Sequence, residues 1–348
     1  MHSGQASPTV QEDHHYPFAG EANPKMKIGI LPLSGKDGVA SDVNYLDLDS
    51  IFNTEDIYLA RVDWGKARTG TDTSANVPPF MYVQVMNRAQ TELVLLRYDL
   101  TTTKLSELFR ETAPAESWIN LNNNFIPLSD GGFIWGSERN TGYNHLYRYD
   151  SDGKNCIPLT SDPTNDNNSN AWMVETCTSD MVDEDNDLIY FTGTKDSPKE
   201  SHLYCTSLLG LLSSGKVSID RMTSTDGMHS ILAIDTKRKL FVDSWSSVAQ
   251  PHQVAVRSLE VASESSTPIV RVLHDGTKID PKVQDLRLVP PEFFEVRSET
   301  SNENSSSEQK QILYGAFYKP DPKKYGPGPY PTVVSVYGGP HAQMVRQN

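Results

Sequence analysis

The sequence predicts a mainly β protein: a partial β-propeller of about five four-stranded antiparallel blades, then the first strands of an α/β-hydrolase domain. Three observations lead there. Short alternating apolar runs fill most of the chain, with too little sequence between them for crossover helices. Similar strand–turn units return at intervals of roughly 50 residues, the length of a propeller blade. Near the end, Thr332-Val333-Val334-Ser335-Val336-Tyr337-Gly338-Gly339-Pro340 leads a continuously apolar run into an aromatic residue and a glycine turn, as a strand covered on both faces would.

Taken in order, residues 1–25 are polar and rich in Gly, Ser, His and Pro, without the apolar core of a signal peptide. Residues 26–288 form the predicted propeller part. Candidate strands are Met26–Leu33, Asp56–Val62, Phe80–Met86, Glu92–Tyr98, Gly132–Ser137, His145–Tyr149, Leu188–Thr192, His202–Cys205, Lys239–Ser244 and His252–Arg257. Turn clusters separate them, such as Ser129-Asp130-Gly131-Gly132 and Asp183-Glu184-Asp185-Asn186-Asp187. Arg97-Tyr98-Asp99 closes one strand and Arg148-Tyr149-Asp150 closes another; His145-Leu146-Tyr147 returns as His202-Leu203-Tyr204. A β-sandwich is the alternative, but its turns would not recur at blade-length intervals. After Pro290-Pro291 the character changes, and residues 289–348 are predicted to begin a second domain. There, Glu292–Arg297 and Gln311–Lys319 read as two strands around a polar loop, and Val333–Val336 as a buried strand.

Fifteen Tyr, eleven Phe and five Trp can fill a core, and 37% hydrophobic residues suffice for a folded chain. A net charge of −14 argues against nucleic acid or an anionic membrane as partner. Cys156, Cys177 and Cys205 have neither disulfide-framework nor metal-ligand spacing, so no metal site and no cofactor are expected. No apolar run reaches the roughly 18 residues of a membrane helix. A cytoplasmic protein is the default expectation.

Acyl-transfer hydrolases need a nucleophile, a base and an oxyanion hole. No G-x-S-x-G elbow occurs, and neither Ser137 nor Ser335 has the glycines that expose a nucleophile on a sharp turn. Tyr337 differs. At a strand end before two glycines, its hydroxyl can reach a tetrahedral oxyanion, although a tyrosine packed on the core would give the same pattern. His341 follows it in the loop, where the Ser–Asp–His chain order of this fold does not place a base.

These segments together resemble the dipeptidyl peptidase IV group of the prolyl oligopeptidase-type serine peptidases. The resemblance runs over about residues 14 to 348 and rests on matches in the family's order. They include Tyr16-Pro17-Phe18-Ala19-Gly20-Glu21-Ala22-Asn23-Pro24, Ser117-Trp118-Ile119-Asn120-Leu121 and Ser137-Glu138-Arg139-Asn140-Thr141-Gly142-Tyr143-Asn144-His145-Leu146-Tyr147. Ser244-Trp245-Ser246-Ser247, Pro291-Glu292-Phe293-Phe294 and Tyr337-Gly338-Gly339-Pro340-His341-Ala342-Gln343 complete them. The resemblance implies an eight-bladed propeller joined to an α/β-hydrolase domain. It implies peptide substrates with a free N-terminus, release of dipeptides with Pro or Ala second, and Ser–Asp–His chemistry. Tyr337 matches the tyrosine whose hydroxyl completes the oxyanion hole, and a homodimer is a further family expectation. The family's amine-binding glutamates would precede Met1 and its triad would follow Asn348. The chain is therefore expected to be an interior piece, inactive alone. The alternative is a non-catalytic propeller that binds proteins.

Overall fold

Long β-branched and aromatic runs pair with their neighbours in sequence, and the result is a succession of antiparallel sheets. The computed structural model describes residues 17–31, 33–34, 39–40, 42–66, 80–162, 170–210, 217–260, 267–278, 281–285, 289–297, 312–339 and 342–348. The first sheet is Ile57–Trp64, Phe80–Asn87, Glu92–Asp99 and Lys104–Thr112, hydrogen-bonded in that order. The second is Phe125–Pro127, Phe133–Ser137, His145–Tyr149 and Cys156–Pro158. The third is Val174–Thr176, Leu188–Gly193, His202–Ser207 and Ile219–Arg221, with Val182–Asp183 added beside Leu188–Gly193. The fourth is Met228–Asp235, Leu240–Ser247, Gln250–Ser258 and Ile269–His274. This consecutive four-stranded pattern is that of propeller blades. Around the predicted strand Met26–Leu33 the described residues form two short ladders: Gly29–Ile30 with Asn44–Tyr45, and Leu33–Ser34 with Val39–Ala40.

By internal contacts the chain divides into two units, Met1–Leu121 and Asn122–Asn348. In the first, Val83, Val85, Val94 and Leu96 are fully buried around Tyr98, Met81, Ile57, Ile28 and Leu48. In the second, one continuous core joins the second, third and fourth sheets through Ile134, Leu146, Leu159, Phe191, Leu203, Tyr204 and Phe241. The two middle strands of each sheet supply most of these side chains, each stabilising by about 1.5–3 kcal/mol.

The repeated tripeptides have local causes. After Arg97-Tyr98-Asp99 the Asp99 carboxylate accepts from the backbone N–H groups of Thr101 (2.8 Å) and Thr102 (3.1 Å). After Arg148-Tyr149-Asp150, Asp150 accepts from Lys154 (2.9 Å) and Asn155 (3.2 Å), so the aspartate shapes the turn each time. These bonds, led by that from Thr102, hold the Asp99 carboxyl below its ordinary range.

The His-Leu-Tyr repeat is a fastening. Thr160, just past the last strand of the second sheet, accepts from the Leu146 N–H (2.9 Å) and faces His145 Nδ1 at 3.1 Å. His145 Nε2 then donates to the Asn170 carbonyl at 3.1 Å. In the third sheet Thr223 accepts from the Leu203 N–H (3.2 Å) and faces His202 Nδ1 at 3.0 Å, while His202 Nε2 donates to Glu200 at 3.1 Å. With one nitrogen accepting from a hydroxyl and the other donating, each ring sits neutral between its partners.

Burial pushes the His145 pKa down, and burial aided by the charges of Arg221 and His229 pushes that of His202 down to about 3. The unfolded chain takes up these protons near pH 6.5. Between that value and about 3 it binds more protons than the folded chain, so stability falls as pH drops through this window. Glu200, whose carboxyl is raised chiefly by burial, acts in the opposite direction, while His145 and His202 act together. The urea midpoint is expected to be lower at pH 5 than at pH 7.5; an unchanged midpoint would contradict the neutral fastening.

Beyond the fourth sheet, Glu292–Arg297 pairs antiparallel with Ile312–Phe317, matching the two strands predicted there. The segment Thr332–Tyr337 departs from its prediction. It has no regular secondary structure, and Val333, Val334 and Val336 are 79–94% exposed. A continuously apolar strand needs ladder partners and cover on both faces, and among the described residues none pairs with it.

Candidate functional site

Tyr337, the predicted oxyanion-hole residue, lies at the end of this exposed segment and is itself 54% exposed. Gly338 adopts φ +67°, a conformation that L side chains rarely take. At Gly339 a Cβ would lie 2.8 Å from the Tyr337 ring carbons and 3.0 Å from its hydroxyl. The ring is therefore folded back over the Gly339 backbone, and both glycines are needed for that pose. Pro340 and His341 lie outside the described residues. Ser137 is buried in its strand, with its Oγ accepting from the Arg139 N–H at 3.0 Å, a turn-forming role and not that of a nucleophile.

A second polar region lies between the third and fourth sheets. A cleft of about 500 Å³ is lined by Glu175, Ser201, His229, Ser244, His252 and Arg346, among others. Tyr337 is not one of its lining residues. The cleft's floor is built by the first strand of each sheet, Val174–Thr176 and Met228–Asp235. Ser201 joins them: its carbonyl accepts from the His229 N–H (2.9 Å), its N–H donates to the Gly227 carbonyl (3.2 Å), and its hydroxyl bonds Glu175.

Behind the cleft sits a buried polar cluster. His229 Nδ1 lies 2.9 and 3.0 Å from the two Asp243 oxygens, and its Nε2 lies 2.8 Å from the Thr225 carbonyl, so both ring nitrogens donate. Arg257 Nε lies 2.8 Å from Asp243 Oδ2, an ion pair lying outside hydrogen-bond geometry. The same guanidinium donates from Nη1 to the Thr267 carbonyl at 3.2 Å. Trp245 is packed between the two donors: the Arg257 guanidinium is 4.6 Å from its ring centroid, and the His229 ring stacks at 6.1 Å and 10°. Thus the Ser244-Trp245-Ser246-Ser247 segment supplies the wall of a buried carboxylate site. Nothing in the sequence alone joined His229 to Asp243 and Arg257, because the three lie on separate strands.

This architecture and the sequence both point to one family. A family model described as "Dipeptidyl peptidase IV (DPP IV) N-terminal region" matches residues 2–252. The chain belongs to this family. Among curated proteins, dipeptidyl peptidase 8 of Mus musculus is 28% identical over 374 residues, which cover 96% of this chain and 39% of that protein. The probable dipeptidyl peptidase 4 of Emericella nidulans is 23% identical over 342 residues, covering 96% of this chain and 38% of its own length. Among solved structures, Porphyromonas gingivalis dipeptidyl peptidase 4 superposes with a TM-score of 0.69 at 19% identity, over 96% of this chain and 40% of that one. That likeness supports the propeller fold. The chain thus spans about two fifths of the length of these dipeptidyl peptidase relatives. Among the described residues, no helix is long and apolar enough to cross a membrane.

Proposed function

We propose that this chain is part of a serine-type dipeptidyl peptidase that removes N-terminal dipeptides from peptides, with Pro or Ala preferred at the second position. The supporting observation is the family match across residues 2–252, continued by relatives named dipeptidyl peptidases over 96% of the chain. In this reading residues 26–288 belong to the propeller and residues 289–348 open the hydrolase domain.

Tyr337 would donate its hydroxyl to the carbonyl oxygen of the scissile bond. As the nucleophile adds, that oxygen gains negative charge, and a donor already aimed at it stabilises the tetrahedral state more than the substrate. The folded-back ring over Gly339 keeps the phenol close to the backbone, and the half-exposed residue leaves room for a ligand oxygen. The 348 residues hold no G-x-S-x-G elbow, so residues 1–348 alone would not cleave. The experiment is dipeptide release from Gly-Pro and Gly-Ala chromogenic amides by the full-length protein and by residues 1–348. The reading expects turnover by the first only; turnover by the second would overturn the place assigned to the nucleophile.

A further inference from the structure

The loop from Lys195 to Ser201 touches more of its surroundings than a strand connection requires. It joins the second and third strands of the third sheet, Leu188–Gly193 and His202–Ser207. Its far end is fixed from below: Ser201 is bonded to Gly227, His229 and Glu175, and the next residue is the buried His202. Its outer side carries two attachments.

The first is to the hairpin before Tyr337. The Lys199 ammonium lies 5.3 Å from the Phe293 ring centroid and 5.4 Å from that of Tyr314, one ring from each hairpin strand. A cation between two aromatic faces contributes about 0.5–1 kcal/mol at an exposed site. The second is to the segment after Tyr337. The Lys199 carbonyl accepts from the Gln347 N–H at 2.8 Å, and Glu200 Oε1 accepts from the Gln347 side chain at 3.4 Å. Arg346 and Asn348 then reach the cleft beside His229, Ser244 and His252.

Glu200 is the hinge of this arrangement. One of its oxygens accepts from His202 Nε2 inside the sheet, and the other accepts from Gln347 outside it. The carboxylate is therefore oriented by the blade and in turn orients the Gln347 segment.

We propose that the loop Lys195–Ser201 is a clasp that holds both flanks of the Tyr337 segment against the third sheet, with Glu200 as its positioning residue. A stretch held on both sides by one loop anchored at Ser201 has far fewer conformations to lose when Tyr337 is ordered on a substrate. The role in catalysis rests on the oxyanion reading of Tyr337; the clasp itself does not.

Two measurements separate these claims. In the full-length protein carrying Gln347→Lys, a zero-length carbodiimide reagent is expected to join the introduced amine to Glu200, read by peptide mass spectrometry and lost in Glu200→Gln. Absence of that cross-link overturns the clasp. In the full-length protein Glu200→Ala is expected to lower kcat about 10- to 100-fold with KM within about twofold, since misplacing a transition-state donor leaves ground-state binding alone. Glu200→Gln, which can still accept from His202 and bond Gln347, restores most of the rate. Gln347→Ala keeps the His202 bond, so it tests the outer attachment without disturbing the sheet, and it should show the same kcat-only loss. An unchanged kcat in both alanine variants overturns the positioning role. If the cross-link forms while Tyr337→Phe leaves kcat unchanged, the clasp stands and the oxyanion reading falls.

Discussion

Asp243→Ala is expected to destabilise the Asn122–Asn348 unit by about 3–5 kcal/mol, the cost of breaking a buried ion pair by removing one partner. Asp243 has no solvent exposure, and Arg257 beside it is 4% exposed. Two donors converge on this one carboxylate: His229 from the first strand of the fourth sheet and Arg257 from the third. Without it Arg257 keeps, among the described residues, the Thr267 carbonyl as acceptor and its stack on Trp245. Neither neutralises its charge in a site closed to water. Thermal melting reads the effect as a fall in Tm on the order of 10 °C. Asp235→Ala is the matched control, because Asp235 pairs with Arg238 in a solvated turn and its loss should leave Tm unchanged. Equal behaviour of the two variants would contradict the role given to the buried cluster. Because that cluster backs the cleft floor, its loss would also loosen the seat of Arg346.

Tyr337→Phe in the full-length protein is expected to lower kcat by about 10²–10³, the usual cost of deleting one oxyanion donor, with KM nearly unchanged. The substitution keeps the ring and its fold over Gly339, so it removes only the hydroxyl. Substrate binding does not use the developing charge, which is why the loss should fall on kcat. A variant whose KM rises while kcat is unchanged would mean that the phenol serves ground-state binding instead.

Sequence reasoning reached the middle strands of the sheets and little outside them. Phe80–Asn87, Glu92–Asp99, Leu188–Gly193 and His202–Ser207 were legible because they are buried on both faces and hence apolar along most of their length. Of the first and last strands of the four sheets, Ile57–Trp64 was read as Asp56–Val62 and the others were not. Cys156–Pro158, Val174–Thr176 and Ile219–Arg221 are three residues long, too short to show a period. Ile269–His274 is an edge strand with all six residues exposed, so no burial pattern marks it. The same logic explains Val333–Val336: its composition matches a covered strand, but cover depends on partners that no local pattern reveals.

The site divides in the same way. Tyr337 with its two glycines is a contiguous signal and could be found by reading along the chain. The cluster of His229, Asp243 and Arg257, and the shared use of Glu200 by His202 and Gln347, are non-local contacts. The one hint for Glu200 was its place two residues before a His-Leu-Tyr repeat, where the equivalent residue of the earlier repeat, Tyr143, is aromatic.

The most direct test of the account is steady-state release of a dipeptide from a Gly-Pro chromogenic amide by the full-length protein, compared with its Tyr337→Phe variant. Turnover is expected to be measurable and to fall by about 10²–10³ in the variant at unchanged KM. A full-length protein that binds the amide but releases no dipeptide would contradict it.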